Sequence, residues 1–480
     1  MANLYIGQEG GINNYWVAAN VQEGLLGIDA DGKLVPALAS SWEQTDATTY
    51  VFTLRDDAKF QNGDPVTADD VVFSLNAAAD PTLSPSTASY LYTFDSATAS
   101  GSREVTVRTT EPDAAFLTTL TNAGSLVVTQ QQFWDKYGGA IGTSDSLLLG
   151  TGPYKVTEFQ PDSHVILDRV DTWWGGLPKV KQIRIDFIPD ENTRLLAAQN
   201  GDLDVALSVP LKQLPQWEEL SGGRVESVDD LSYTGLFFDL SVPPFDDPKV
   251  REAVASAMDR ETIVDKVLRG NGEVANTIMS PPSLAAAYGG DQARDLLMRV
   301  PAHDFDLARA KELLAESTEA DGFETTITYP SAGSQLGTAA QALAENLKQL
   351  GITLRVREVP TEEWLATIGD GQHGLGFMWY FSTTGDPAEI SSYLLGEGNP
   401  SHIADADALE LISKAGAATE PAARIDLLVE LETLNAENTY AAPLWWGRSL
   451  TFFSDAVGVR TFTPYTFIGP WGNQLFAAAQ

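Results

Sequence analysis

The chain carries four imidazoles, His164, His303, His373 and His402, and no two stand at the spacing that brings a pair to one metal ion from a helix or a ribbon. Solvent-facing or structural histidine is the simpler reading. There is no cysteine, which excludes disulfides, thiolate metal sites and cysteine nucleophiles. No Gly-x-Ser-x-Gly elbow offers a serine nucleophile. Gly150-Thr151-Gly152 could open a dinucleotide fingerprint, but Lys155 holds the third glycine position and Pro153 removes an amide that a phosphate would need. It reads as a tight turn. Asp69 with Asp70 suits the start of a helix, and Glu362 with Glu363 says little in so acidic a chain. An acidic glycoside hydrolase, working through two carboxylates, is the enzyme class this leaves open.

The remaining chemistry is that of rings and hydroxyls. Phe377-Met378-Trp379-Tyr380-Phe381 suits a buried strand, and Ser382-Thr383-Thr384-Gly385-Asp386-Pro387 is a turn that ends it. Such a stretch delivers large rings to the mouth of a loop. Trp445 and Trp446 form a second aromatic pair, and rings of this kind suit the apolar faces of sugars as well as a protein core.

The elements that must position these residues come from a long chain. With 480 residues, 43% hydrophobic and 11 Trp, it is globular and large enough for two or more domains. Thirty Lys plus Arg against 66 Asp plus Glu leave a formal net charge of −36. A field of that sign repels phosphate backbones and anionic lipid heads, so nucleic acid and membrane surfaces are poor partners. Met1 to Glu9 lacks the basic start and apolar core of a signal peptide, and no later run approaches the length of a membrane span. If the protein is exported, its leader lies ahead of Met1, and a lipid anchor there is compatible with the sequence.

Along the chain, Asn20 to Gly24 reads as a helix end closed by glycine, and Tyr50-Val51-Phe52-Thr53-Leu54 alternates as a half-buried strand. Thr67 can cap a helix that carries Asp69 and Asp70 in its first turn. Leu307 to Leu314 and Leu343 to Leu350 are amphipathic helices, the second closed by Gly351 before a strand. The order Leu34-Val35 … Leu38-Ala39 … Ser41-Trp42, Tyr50 … Arg55, then Lys59-Phe60 … Gly63 … Pro65 … Thr67-Ala68 … Asp70-Val71 … Ser74 resembles the signature region of the family 5 extracellular solute-binding proteins. These are the dipeptide, oligopeptide and nickel type binding components of ABC importers. Gly150 to Tyr154, Asp171 to Gly176, Arg194 to Asp204, Pro243 to Ala253 and Ala257 to Val264 are similar to further family motifs.

The resemblance implies an α/β periplasmic-binding-protein fold of the cluster C type: two lobes, a hinge crossed twice and an extra subdomain in the first lobe. Lobe one would comprise residues 1–240, with the subdomain at about 32–149. Residues 241–449 would form lobe two, and 450–480 would return to lobe one, with the first crossing near Asp239 to Phe245. It further implies an extracytoplasmic monomer, in the periplasm or at the cell surface, that needs no cofactor or metal, performs no catalysis, and presents a peptide or an oligosaccharide to an ABC transporter permease. In peptide-binding relatives the segment aligned with Tyr380 to Pro387 places an aspartate against the ligand's ammonium group. Here that position is Thr383. Either another acid, with Asp386 nearest, supplies the charge, or the ligand has no free amine. Trp379, Tyr380, Thr383, Thr384, Asp386, Trp445 and Trp446 are the candidate ligand residues; by position in the family, Asn13, Asn14, Tyr15, Tyr233 and Phe237 join them.

Overall fold

A computed structural model describes residues 1–370 and 374–478. The chain forms two compact units, one made of Met1–Val228 with Ser449–Gln480 and the other of Asp229–Arg448. It passes from the first to the second inside the strand Gly223–Phe238 and returns inside the strand Ala441–Ser454. Asp239 to Phe245, where the first crossing is expected, therefore lies within the second unit. The reason is the run Leu231 to Phe238, whose residues are all buried and which keeps the backbone extended well past the division.

In the first unit, four antiparallel strands run in the order Ala39–Asp46, Thr49–Leu54, Glu104–Thr109, Phe94–Ala99. Tyr50, Phe52 and Leu54 point inward and Thr53 outward, the period-two pattern of a sheet with one wet face. The helix Ala68–Ala79 starts with a reciprocal cap: Thr67 Oγ1 accepts from the Asp70 N–H at 3.2 Å, and Asp70 Oδ2 accepts from the Thr67 N–H at 3.2 Å. Residues between Leu25 and Val128 gather a core of their own around Phe52, Phe60 and Phe116. A second core forms under the three-stranded sheet Tyr154–Gln160, His164–Arg169, Gln182–Asp186.

The first helix, Ile12–Val21, ends differently from the sequence expectation. Gln22 is already extended, and Gly24 is required by crowding, since a Cβ there would sit 2.4 Å from the Leu120 carbonyl oxygen. Between them Glu23 is buried and accepts from the indole N–H groups of Trp173 (3.3 Å) and Trp174 (3.1 Å). Burial pushes its carboxyl up to about 7.

In the second unit, the parallel pair Glu324–Pro330 and Thr353–Val359 is joined through the helix Ser334–Lys348, which Gly351 closes at φ 84°. Strand Leu375–Phe381 pairs antiparallel with Ser232–Phe238. Two helices, Ala406–Ala417 and Pro421–Asn438, pack together. Buried Arg251 donates to the carbonyls of Phe245 (2.8 Å), Asn438 (2.7 Å) and Thr439 (3.0 Å), so a cation closes the end of the last helix. Glu432, on that helix, is buried too. It accepts from the N–H groups of Ile278 (2.9 Å) and Met279 (3.2 Å) and from the Ser391 hydroxyl (2.7 Å).

Burial lifts the Glu432 carboxyl from 4.5 to about 7, as it does that of Glu23 in the first unit. A folded-state pKa above the unfolded one means the native protein binds the extra proton between those values. Stability should therefore fall as pH rises from about 4.5 to 7, by roughly 3 kcal/mol for each glutamate, and level off above. Denaturant unfolding between pH 5 and 8 measures this slope. Glu432→Gln should remove its share; a slope unchanged in that variant would show that the carboxyl is already ionised in the fold.

Candidate functional site

The strand Leu375–Phe381 buries Leu375 to Met378 and then lets Trp379, Tyr380 and Phe381 become partly exposed. Past that point the pleat sorts the side chains by parity. Tyr380, Ser382 and Thr384 turn to one face and gather on Glu389, the first residue of the helix Glu389–Leu395. Tyr380 Oη donates to Glu389 Oε1 at 2.7 Å, and Ser382 Oγ donates to Oε2 at 2.5 Å. Thr384 Oγ1 donates to Oε2 too. Burial pushes the Glu389 carboxyl above its ordinary range, and the three hydroxyls draw it partly back. The same hydroxyl oxygens also hold the turn, Ser382 accepting from the Gly385 N–H and Thr384 from the Asp386 N–H.

Asp386, the nearest acid by sequence, faces a cation of the protein itself. Both of its oxygens meet the guanidinium of Arg424, at 2.6 and 2.9 Å, and both residues are buried. A bidentate pair of this kind already satisfies the carboxylate.

The other face carries Trp379 opposite Thr234 and Phe381 opposite Ser232. The Ser382 N–H still bonds to the Leu231 carbonyl at 3.1 Å, so the register continues, and one step further Thr383 falls opposite Asp230 as the chain bends away. The Thr383 hydroxyl is buried and has no hydrogen-bond partner among the described residues. Asp230, only 6% exposed, accepts on Oδ1 from the Ser232 N–H (2.8 Å) and Oγ–H (2.5 Å). Its neighbour Asp229 is matched by two cations, Arg294 at 2.9 Å and Arg448 at 2.7 Å. The ring of Trp379 lies against Gly333, where a Cβ would stand 3.3 Å from it.

The remaining sequence candidates are placed as follows. Tyr233 and Phe237 are buried; burial, aided by the charge of Glu432, pushes the Tyr233 phenol upward. Trp445 and Trp446 are buried as well, with Trp446 Nε1 donating to the Thr277 carbonyl at 3.1 Å. They sit on a strand flanked on both sides, which makes platforms of this kind part of the interior. In the first unit Asn13 is exposed at the start of its helix, while Asn14 donates to the Asn3 carbonyl and Tyr15 to the Gly124 carbonyl. His164 pairs with Glu158, His402 with Asp239 and His303 with Thr439. His373 lies outside the described residues. Among the described residues no cluster of acids and histidines could hold a metal ion, and no helix is long and apolar enough to cross a membrane.

Glu389, Arg424 and Asp230 escaped the sequence reading. Arg424 is 38 residues from its partner, and nothing local announces it. Asp229-Asp230 just ahead of a buried strand was the signal available for the third. The pair Asp386–Arg424 makes a direct test. Asp386→Ala should cost about 3–5 kcal/mol in urea unfolding because it strands a buried guanidinium, whereas Asp386→Ala with Arg424→Met should recover most of that loss. Additive losses would mean the two side chains do not act as a pair.

Comparison with known proteins agrees with this architecture. Residues 33–402 match the profile of the bacterial extracellular solute-binding proteins, family 5. The glutathione-binding protein GsiB of Shigella flexneri is 27% identical over 369 residues, covering 76% of this chain and 69% of that protein. The dipeptide-binding protein DppE of Bacillus subtilis is 26% identical over 458 residues, covering 89% and 81%. In fold, the chain is similar to the periplasmic binding protein AgaA from A. tumefaciens R10, solved with agropinic acid, with a TM-score of 0.83 at 23% identity over 100% of this chain and 97% of that one. This chain belongs to the bacterial extracellular solute-binding proteins, family 5, and has their α/β periplasmic-binding-protein fold.

Proposed function

We propose that the protein is the extracytoplasmic capture component of an ABC importer and that it binds a small polar solute of peptide-like size, handing it to the permease unchanged. The observation that carries this is the family match over residues 33–402. The names of the relatives, which bind glutathione and dipeptides, support a peptide-like solute. The furnishing of the loop after strand Leu375–Phe381 is in keeping: partly exposed Trp379, Tyr380 and Phe381 offer ring surface, and Thr383 offers a hydroxyl.

An oligosaccharide is the second reading, since the same rings would stack on sugar faces. Hydrolysis of a glycoside finds less support at this loop. It needs two carboxyl groups facing the substrate about 5 to 9.5 Å apart, one as acid and one as base or nucleophile. Asp386 is held by Arg424, and Glu389 by three hydroxyls.

Thermal unfolding with glutathione, dialanine, trialanine and maltotriose separates these readings. A bound solute at a hundred times its dissociation constant adds about 2.7 kcal/mol, enough for a clear rise in melting temperature. The expected result is saturable stabilisation by a peptide, which chromatography then recovers intact. Stabilisation by maltotriose alone favours the second reading, and cleavage of any probe overturns a role limited to binding.

A further inference from the structure

We propose that the second unit carries a binding site of its own for a small uncharged aromatic molecule bearing a hydroxyl, in a cavity of about 180 Å³ beneath the helix Thr361–Asp370. This site is additional to the one that captures the transported solute.

The period of two in one strand and of nearly four in one helix makes the space. In the strand Glu324–Pro330, Ile327 is buried and Tyr329 lies against Gly337 of the helix Ser334–Lys348, so the odd-numbered residues face that helix. Thr326 and Thr328 point to the opposite side. There Trp364, Thr367 and Ile368, spaced as one face of the helix Thr361–Asp370, close over them. The third wall is the start of the strand Leu375–Phe381. Gly376 stands opposite Phe237 on the paired strand, and a Cβ on it would lie 2.5 Å from that ring, so only glycine admits the ring there. Leu375–Phe381 is an edge of its sheet, and among the described residues no hydrogen-bonded ladder joins it to Glu324–Pro330 beside it. The cavity lies along that seam.

Protein interiors are close-packed and hold few voids larger than a water molecule. Here two threonines and a glycine stand where larger side chains would fill the space. A cavity of about 150 Å³ lined by aliphatic and aromatic side chains binds benzene, so this one has room for a six-membered ring with a small substituent. The wall selects the occupant. Phe237, Trp364 and Phe377 offer ring surface, which another ring matches best. The threonine hydroxyls donate or accept, and Thr367 Oγ1, which donates to the Trp364 carbonyl at 2.7 Å, keeps its lone pairs for a donor. Among the described residues no charged side chain lines the cavity, so an ionic occupant would be buried without a partner. The site is also remote from the loop that follows the strand. Six residues of extended chain separate Gly376 from Ser382, roughly 20 Å.

Titration of the full chain with 4-fluorophenol, fluorobenzene and 4-fluorobenzoate at neutral pH, followed by fluorine NMR, tests this. The first two are uncharged there and the third is an anion. 4-Fluorophenol should bind saturably with a dissociation constant below about 1 mM, a modest demand for a molecule of that size. Fluorobenzene should bind more weakly, and 4-fluorobenzoate not at all. Thr328→Phe, which fills the cavity, should weaken 4-fluorophenol binding by about tenfold or more. Thr326→Val with Thr328→Val keeps the shape and removes two hydroxyls; it should cost 4-fluorophenol about three- to tenfold and leave fluorobenzene within about twofold. Should Thr328→Phe fail to fold, the valine pair carries the test.

No saturable binding by wild type overturns the inference and leaves a cavity that holds water only. Binding that Thr328→Phe leaves unchanged, or displacement of 4-fluorophenol by trialanine, overturns it by placing the molecule elsewhere, on the rings of the loop in the second case. Equally tight binding of 4-fluorobenzoate, or an equal loss of both neutral probes in the valine pair, overturns the class of occupant. Each of these results leaves solute capture untouched.

Discussion

The arrangement at the end of strand Leu375–Phe381 depends on one buried ion pair. Removing Asp386 and Arg424 from water costs several kcal/mol for each, which only close, bidentate geometry offsets. That requirement ties a turn to a helix 38 residues further along the chain. With Asp386 fixed, its backbone N–H is set where Thr384 Oγ1 can accept it, and its Oδ1 accepts the Ala388 N–H just before the helix that begins at Glu389. Glu389 then reaches back to three hydroxyls on alternate residues. Charge pairing, turn geometry and helix start thus meet in one connected hydrogen-bond network.

This unit explains why the two faces of the segment differ. A strand pleat offers only two directions, so a carboxylate that collects residues 380, 382 and 384 necessarily leaves 379, 381 and 383 on the other side. One face becomes a closed network of acid and hydroxyl. The other presents rings, an unused hydroxyl and the neighbouring strand. The partition needs no special backbone strain, because it follows from the period of two.

Much of this fold can be read locally. The Thr67–Asp70 cap, the alternation of Tyr50 to Leu54 and the closure by Gly351 depend on contacts within a few residues, and each stands where the sequence places it. Sequence failed where a distant contact overrode a local rule. Gly24 looks like a helix terminator, but it is required by the approach of the Leu120 carbonyl, nearly a hundred positions away. Trp445 and Trp446 look like platforms, and the strands on either side of them put them indoors. At the site, a linear alignment can ask only what replaces an acid at position 383. It cannot see that antiparallel pairing sets residue 230 opposite residue 383, because register is a property of two strands and is written in neither alone.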